Sequence, residues 1–438
     1  LNYIYFKTDS ISTIRISNKS KVIGLGSEDI CFNNNSNYKL KIDLNFFGNV
    51  TKINLQGNVD LIGTLPSNLT YLYLDNIYWE SEEALPESLT YFHLYGDNIH
   101  WTYTGVLYPN PVDIHFNNVY WTYKKELPSN LTHLHLEGNN IYFIYEGELP
   151  NNLVYLHLFG NNTGWIYEGS LPENLTYLEF NESLMHWTYT GALPQNLTHL
   201  CLNSGGIHWT YSGELPSNLT YLHLYSNGIK WTYNGALPIN LTYLKLMSYN
   251  IYWTYVGELP TNLTNLCLSG NNINWTYVGA LPTNLTYLYL SGANIHWTYE
   301  GAMPNGLTYL RLSGANIHWT YEGAMPNGLT YLYLYGANIH WTYEGAMPNG
   351  LTYLCLAGAN INWTYAPWNF TNNFRHYTIY TIGVLHTREN VISVLNKGAQ
   401  VTWIVEKTID LANNANMADT NQGGIWGDFS DIENFQPS

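Results

Sequence analysis

The chain has 438 residues, of which 11% are charged and 16% aromatic, with 40 Tyr and 16 Trp. So much ring surface demands a large core and excludes a disordered chain. Sixteen Lys plus Arg against 32 Asp plus Glu give a net charge of -16. That balance lacks the cationic footprint of a nucleic-acid binder and is repelled by anionic membranes; no apolar run approaches the length that spans a bilayer.

The chain opens on Leu1 rather than Met, as it would after removal of a leader, and no signal peptide is visible. Residues 1–64 hold degenerate copies of a motif that later becomes regular, such as ISTIRI (Ile11 to Ile16) and VTKINL (Val50 to Leu55), and they read as an N-terminal cap. From 65 to 368 a repeat governs the sequence. Leu-Pro, or Met-Pro late on, returns every 22 residues from Leu127 to Met347, with less regular copies at Leu65, Leu85 and Leu107. The template is Leu-Pro-x-Asn-Leu-Thr-Tyr-Leu-x-Leu-x-Gly-x-Asn-Ile-x-Trp-Thr-Tyr-x-Gly-x, and 14 copies lie between Leu65 and Tyr365. A fixed period of this length is the mark of a solenoid.

Two alternations lie inside each repeat. In Tyr-Leu-x-Leu-x both Leu share one face of a strand, while Tyr and the two x positions share the other. In Ile-x-Trp-Thr-Tyr the Ile, Trp and Tyr share a face, which predicts a second strand on the opposite wall packed against the leucines. Thirteen of the 16 Trp occupy this one position, from Trp79 to Trp363, with Phe143 replacing it once. An interior position copied so faithfully favours a core spine over a sugar-stacking platform. Pro and Gly mark the corners between walls. The expected fold is therefore mainly β, a gently curved solenoid with strands on two walls, and fourteen turns at ~4.8 Å make a rod about 65 Å long.

After Trp368 the period stops. Residues 369–412 read as a small α/β capping unit: FRHYTIYTIGVL (Phe374 to Leu385) alternates like a strand, RENVISVLNKG (Arg388 to Gly398) reads as a short helix with Thr387 as N-cap and Gly398 beyond its end, and VTWIVE (Val401 to Glu406) is another strand. Such a unit would cover an open sheet edge. The tail, 413–438, is Asn-, Gly- and Asp-rich and reads as irregular; a missing leader and a further C-terminal domain both remain open.

The segment Leu-Thr-Tyr-Leu-x-Leu-x-x-x-x-Ile, as in LTYLYLSGANI (Leu285 to Ile295) and LTHLHLEGNNI (Leu131 to Ile141), resembles the leucine-rich-repeat family. The Leu-Pro-x-Asn-Leu lead-in is similar to bacterial, viral and amoebal variants of it. The family places Asn two positions before the last apolar residue, as Asn139, Asn227 and Asn271 do here, but later copies carry Ala there (Ala293, Ala315, Ala337, Ala359) and Asn next door (Asn294, Asn316, Asn338, Asn360). That departure puts the family's buried Asn ladder in question for those turns.

Comparing the repeats with one another points to a surface. Residues 303–324 and 325–346 differ only where Arg311 becomes Tyr333 and Ser313 becomes Tyr335, both outward positions of the first strand. The outward residues of the opposite wall stay constant through His296, His318 and His340, changing only at Asn362, so drift alone is the weaker explanation. The expected ligand-binding face is Tyr243, Lys245, Tyr287, Tyr289, Tyr309, Arg311, Tyr331, Tyr333, Tyr335 and Tyr353, the tyrosines supplying rigid, amphipathic contact area.

Chemistry has little support. His93, His115, His135 and His157 would stack as a row of exposed, neutral imidazoles, and no Cys or carboxylate completes a tetrahedral metal set. Glu137 and Glu179 lie about 10 Å apart with no cleft, poor geometry for a glycosidase pair. No phosphate loop or nucleophile elbow is present, so neither catalysis nor a cofactor is expected. Cys201, Cys267 and Cys355 are about 14 Å or more apart, beyond disulfide reach, and at outward positions they read as exposed thiols ill-suited to an oxidising secretory route. Eight Asn-Leu-Thr triplets from Asn68 to Asn284 are nominal glycosylation acceptors, better read as turn residues.

The LPTNLTYLYL and NIHWTYEG blocks resemble repeats of gut bacteria and their phages. That resemblance implies a virion-attached fibre or receptor-binding protein that contacts bacterial surface glycan or protein, joined to a virion carrier, in a virion or extracellular-facing prokaryotic setting. A bacterial adhesin and a self-associating filament subunit are the alternatives.

Overall fold

A computed structural model describes residues 29–101 and 303–363 with a few short gaps, and between them the first strand and Leu-Pro corner of each turn; elsewhere it gives the course of individual strands. The chain divides into two compact units, residues 1–219 with 224–230 and residues 220–223 with 231–438. Both are stacks of parallel strands on two walls. The 3-10 turn Leu44–Phe46 is the one helical element among the described residues.

In the first unit the ladder runs from Asp29–Asn34 and Lys52–Gly57 through Tyr71–Asp75, Tyr91–Tyr95, Asp113–Asn117, His133–Glu137, Tyr155–Gly160 and Tyr177–Glu182 to His199–Asn203. In the second it runs from Tyr243–Met247 through Asn265–Ser269, Tyr287–Ser291, Tyr309–Ser313 and Tyr331–Tyr335 to Tyr353–Ala357. Strands His376–Tyr380 and Gln400–Ile404 continue that ladder in parallel, and Ile425–Trp426 pairs antiparallel with its last strand. The helix expected at Arg388 to Gly398 lies outside the described residues.

The alternation sets the packing. Leu288, Leu290, Leu310, Leu312, Leu332 and Leu334 are fully buried, while the residues between them are half-buried or exposed. On the opposite wall Ile339–Tyr343 alternates in the same way, with Ile339 and Trp341 fully buried. Trp101, Trp319, Trp341 and Trp363 are the largest fully buried side chains, so the Trp position is core. Where the indole N–H points to a corner it finds a carbonyl: Trp101 Nε1 donates to Glu83 O at 3.2 Å and Trp363 Nε1 to Gly345 O at 3.0 Å.

The two walls differ in register. On the first, Leu310 pairs with Leu332, one full repeat away; on the second, Trp319 pairs with Ile339 and Trp341 with Ile361. A two-residue slip keeps every side chain on its own face, because strand periodicity is two. The indoles of Trp319 and Trp341 therefore lie beside the isoleucine of the next turn, whereas Trp101 pairs in register with Trp121.

The corners are held by polar side chains that bond from turn to turn. The corner closes on itself both as Pro-x-Asn-Leu, with Leu285 N donating to Pro282 O at 3.0 Å, and as the later Pro-Asn-Gly-Leu, with Leu307 N donating to Pro304 O at 3.0 Å. The Thr that follows donates its hydroxyl to the carbonyl one repeat back: Thr286 to Thr264 O at 3.1 Å, Thr308 to Thr286 O at 3.0 Å, Thr330 to Thr308 O at 3.0 Å. The corner Asn does likewise, Asn174 Nδ2 donating to Asn151 O at 3.1 Å and Asn196 Nδ2 to Glu173 O at 3.2 Å. These bonds account for both polar members of the Asn-Leu-Thr triplet without a glycan. The Gly that follows the first strand in each of the last five turns, Gly270 to Gly358, answers to crowding: a Cβ on Gly336 would sit 2.8 Å from Gly314 O, and on Gly358 2.5 Å from Gly336 O.

Two expectations need correction. Cys201, Cys267 and Cys355 are buried, only 3–6% exposed, although their strand positions face outward. A thiol is short, and the bulkier side chains beside it on neighbouring strands close over it. The inference from exposed thiols against an oxidising compartment therefore falls. The Asn ladder, in question for the late turns, is replaced by its neighbour: Asn360 Nδ2 donates to Ala337 O at 2.8 Å, and Asn338 makes the equivalent bond to Ala315 O.

Candidate functional site

The second unit carries the residues singled out from the repeats. Tyr243, Lys245, Tyr287, Tyr289, Tyr309, Arg311, Tyr331, Tyr333, Tyr335 and Tyr353 all lie on the outward side of adjacent strands, half-buried except for exposed Tyr335. Two columns form. In the first, Tyr287, Tyr309, Tyr331 and Tyr353 stack face to face, with centroids 4.2, 4.2 and 4.1 Å apart and rings within 13° of parallel. In the second, register places Lys245, Cys267, Tyr289, Arg311, Tyr333 and Cys355 side by side. The Arg311 guanidinium lies between two rings, its Cζ 5.0 Å from the Tyr289 centroid and 4.4 Å from that of Tyr333. Burial pushes the Cys267 thiol, between Lys245 and Tyr289, up to about 12 and the Cys355 thiol, beside Tyr333, up to about 11, so both are neutral.

The first unit presents different chemistry on the same wall. His93, His115, His135 and His157 form a row, with centroids 5.5 Å apart for the first pair, 3.7 Å and stacked for the second, and 4.3 Å edge-on for the third. The row is half-buried, not exposed as expected, because Tyr91, Tyr95, Tyr155 and Tyr177 crowd it on both sides. Burial first, and the neighbouring imidazoles second, push His115 and His135 down to about 3. A neutral His135 also fits its bonds: if its Nε2 donates to Glu137 Oε2 at 3.2 Å, its Nδ1 is free to accept from His157 Nδ1, also at 3.2 Å.

Glu179 is the group sequence reasoning undervalued. It lies between His157 and His199, with Oε2 3.9 and 3.7 Å from their Nε2 atoms, and it accepts a bond from the Tyr177 hydroxyl. Burial opposes its ionisation, but the bonds from His199 and Tyr177 and the neighbouring imidazole charge outweigh that and bring it to about 2. The signal was present in the chain, since Tyr177, Glu179 and His199 are outward positions of paired strands. Glu137 and Glu179 occupy different columns of the sheet, Glu137 beside Phe159 and Glu179 beside His157. Among the described residues no group of three or more His, Cys, Asp or Glu is arranged to hold a metal ion, and no helix is long and apolar enough to cross a membrane.

Parallel strands on two walls, a leucine core repeated every 22 residues and Asn- and Thr-bonded corners define a leucine-rich-repeat solenoid. A solved structure agrees on that fold. The chain is similar to YopM from Yersinia enterocolitica WA-314, at a TM-score of 0.55 and 18% identity over 87% of this chain and 82% of that one. It is also similar to YopM from Yersinia pestis (TM-score 0.42, 20% identity, 66% and 83% covered). The leucine-rich-repeat ectodomain of the Arabidopsis receptor kinase HAESA, solved with an IDA peptide hormone ligand, gives a TM-score of 0.46 at 14% identity over 87% and 79%. No family model and no curated protein matches the sequence.

Proposed function

We propose that the chain is a non-enzymatic recognition scaffold that binds a partner through the outer face of the first-wall strands in its second unit. One observation carries this reading. Two neighbouring repeats identical elsewhere differ at 311/333 and 313/335, and register sets Arg311 beside Tyr333 and Ser313 beside Tyr335 on one outward face. Core, corners and second wall are copied while that face changes, the pattern expected when a rigid frame presents variable contacts. Half-buried, mutually stacked tyrosines support it further, since their conformational entropy is spent before a ligand arrives. The non-enzymatic part is supported by the engagement of Glu137 and Glu179 with imidazoles on the sheet face, so these two carboxylates do not flank a cleft.

The partner we propose is a protein or glycan of a bacterial surface, and the bearer a phage fibre or receptor-binding protein; a bacterial adhesin with the same face is the second reading, resting on the same repeats. The test is binding of the labelled chain to a panel of gut bacterial isolates, beside a variant with Arg311, Tyr333 and Tyr335 changed to Ser. Strain-selective binding lost in the variant is the expected result. Selective binding retained in the variant moves the site off this face, and binding to no isolate overturns the bacterial partner. Co-sedimentation of the chain with purified virions separates fibre from adhesin.

A further inference from the structure

Outward positions of the strands from Tyr243–Met247 to Tyr353–Ala357 include two cations, Lys245 and Arg311, and no carboxylate, in a chain whose net charge is -16. Neither cation has an acidic partner within ion-pair distance among the described residues, whereas the acidic residues of the first unit's face, such as Asp113, Glu137 and Glu179, lie beside imidazoles. Arg311 is also fixed: clamped between Tyr289 and Tyr333, its Nε is closed off from solvent with no acceptor, while its two terminal nitrogens stay open and likewise unbonded. A guanidinium held between two rings is a preorganised fork for a planar carboxylate.

The spacing says more. Lys245 and Arg311 stand three strands apart, about 14 Å at the parallel-sheet spacing. An extended peptide laid across the strands advances about 3.4 Å per residue and turns alternate side chains to the same side, so residues i and i+4 reach about 14 Å apart facing the sheet. The ladder tyrosines, stacked on one another, withhold the ring faces on which a sugar would stack.

Resting on the recognition reading above, we infer that this face binds an extended acidic peptide segment of its partner, with one carboxylate on the Arg311 fork and a second, four residues away, on Lys245. The experiment is an array of synthetic peptides in a Ser/Thr background, with two Glu at every separation from adjacent to six apart, each beside its Gln counterpart. It is probed with the whole labelled chain and with R311Q, R311K and K245Q, whose melting temperatures report that they fold. Signal should peak at i, i+4 and vanish in the Gln peptides. It should fall about tenfold in R311Q and in K245Q, the size of one lost charged contact, with R311K intermediate because charge remains without the fork. Signal that ignores the separation, or that R311Q leaves unchanged, overturns the inference. So does a silent array with tight binding to an acidic oligosaccharide such as oligogalacturonate, which would make the ligand a glycan. A silent array beside strain-selective binding to the bacterial panel sinks the acidic peptide and leaves the recognition scaffold standing; silence in both sinks both.

Discussion

Acidification should weaken the first unit through its buried imidazoles, and His135 allows the size to be worked out. Its ordinary value of 6.5 drops to about 3 in the fold, chiefly because burial denies the charged ring its solvent. Between pH 7 and pH 5 the unfolded histidine takes up most of a proton while the folded one takes up almost none. The unfolded chain therefore binds more protons, and stability falls as pH falls, from near the ordinary value down toward the folded one. Integrating over pH 7 to pH 5 gives about 2 kcal/mol for this one ring, and the figure barely changes as long as the folded value stays below about 4. With the side chain only 13% exposed, solvent screening takes little from it. Urea unfolding followed by Trp fluorescence at the two pH values should show the parent losing about 2 kcal/mol more than H135Q. Equal losses in parent and H135Q would refute the argument, as would an imidazole NMR signal of His135 titrating near its ordinary value.

Three shorter predictions follow from the packing. W341A should destabilise the second unit by about 3–5 kcal/mol in urea unfolding, since Trp341 is fully buried; a change within error would place the indole outside the core. T308V removes the hydroxyl bond to Thr286 O while keeping the shape, and should cost about 1 kcal/mol in the same assay. Cys267, buried and pushed up to about 12, should react with Ellman's reagent at mild alkaline pH far more slowly in the native chain than in urea. Immediate full labelling of the native chain would contradict its burial.

The fold was legible because every level of the sequence agreed. The Leu positions, the Trp position and the Pro-x-Asn-Leu corner each recur in phase, and the structure gives each the role its periodicity implies. Wall-to-wall register was not legible, because a slip of two residues leaves the alternation of Ile339, Trp341 and Tyr343 unchanged and so leaves no mark in the pattern. The exposure of Cys267 and Cys355 was misread for a related reason: periodicity tells which way a side chain points, and the bulk of its neighbours decides whether water reaches it. The candidate face was half legible. Variation between repeats marked positions 311/333 and 313/335, but the clamp on Arg311 depends on the rings of the strands on either side, which no single repeat contains.

The turn-to-turn bonding of the corners bears on how such a chain can change length. The corner hydroxyls of Thr286, Thr308, Thr330 and Thr352 each reach for a carbonyl in the turn before, and these turns offer the same carbonyl to the turn after. Splicing in or cutting out one whole module therefore rejoins identical donors and acceptors, and this holds at the 20-residue spacings of the early turns too, where Thr90 and Thr132 still reach the carbonyls of Thr70 and Val112. Recombination between copies such as 303–324 and 325–346 is thus structurally silent in the frame. It also shuffles the order of outward residues, so the same exchange that lengthens the stack can rewrite what it touches.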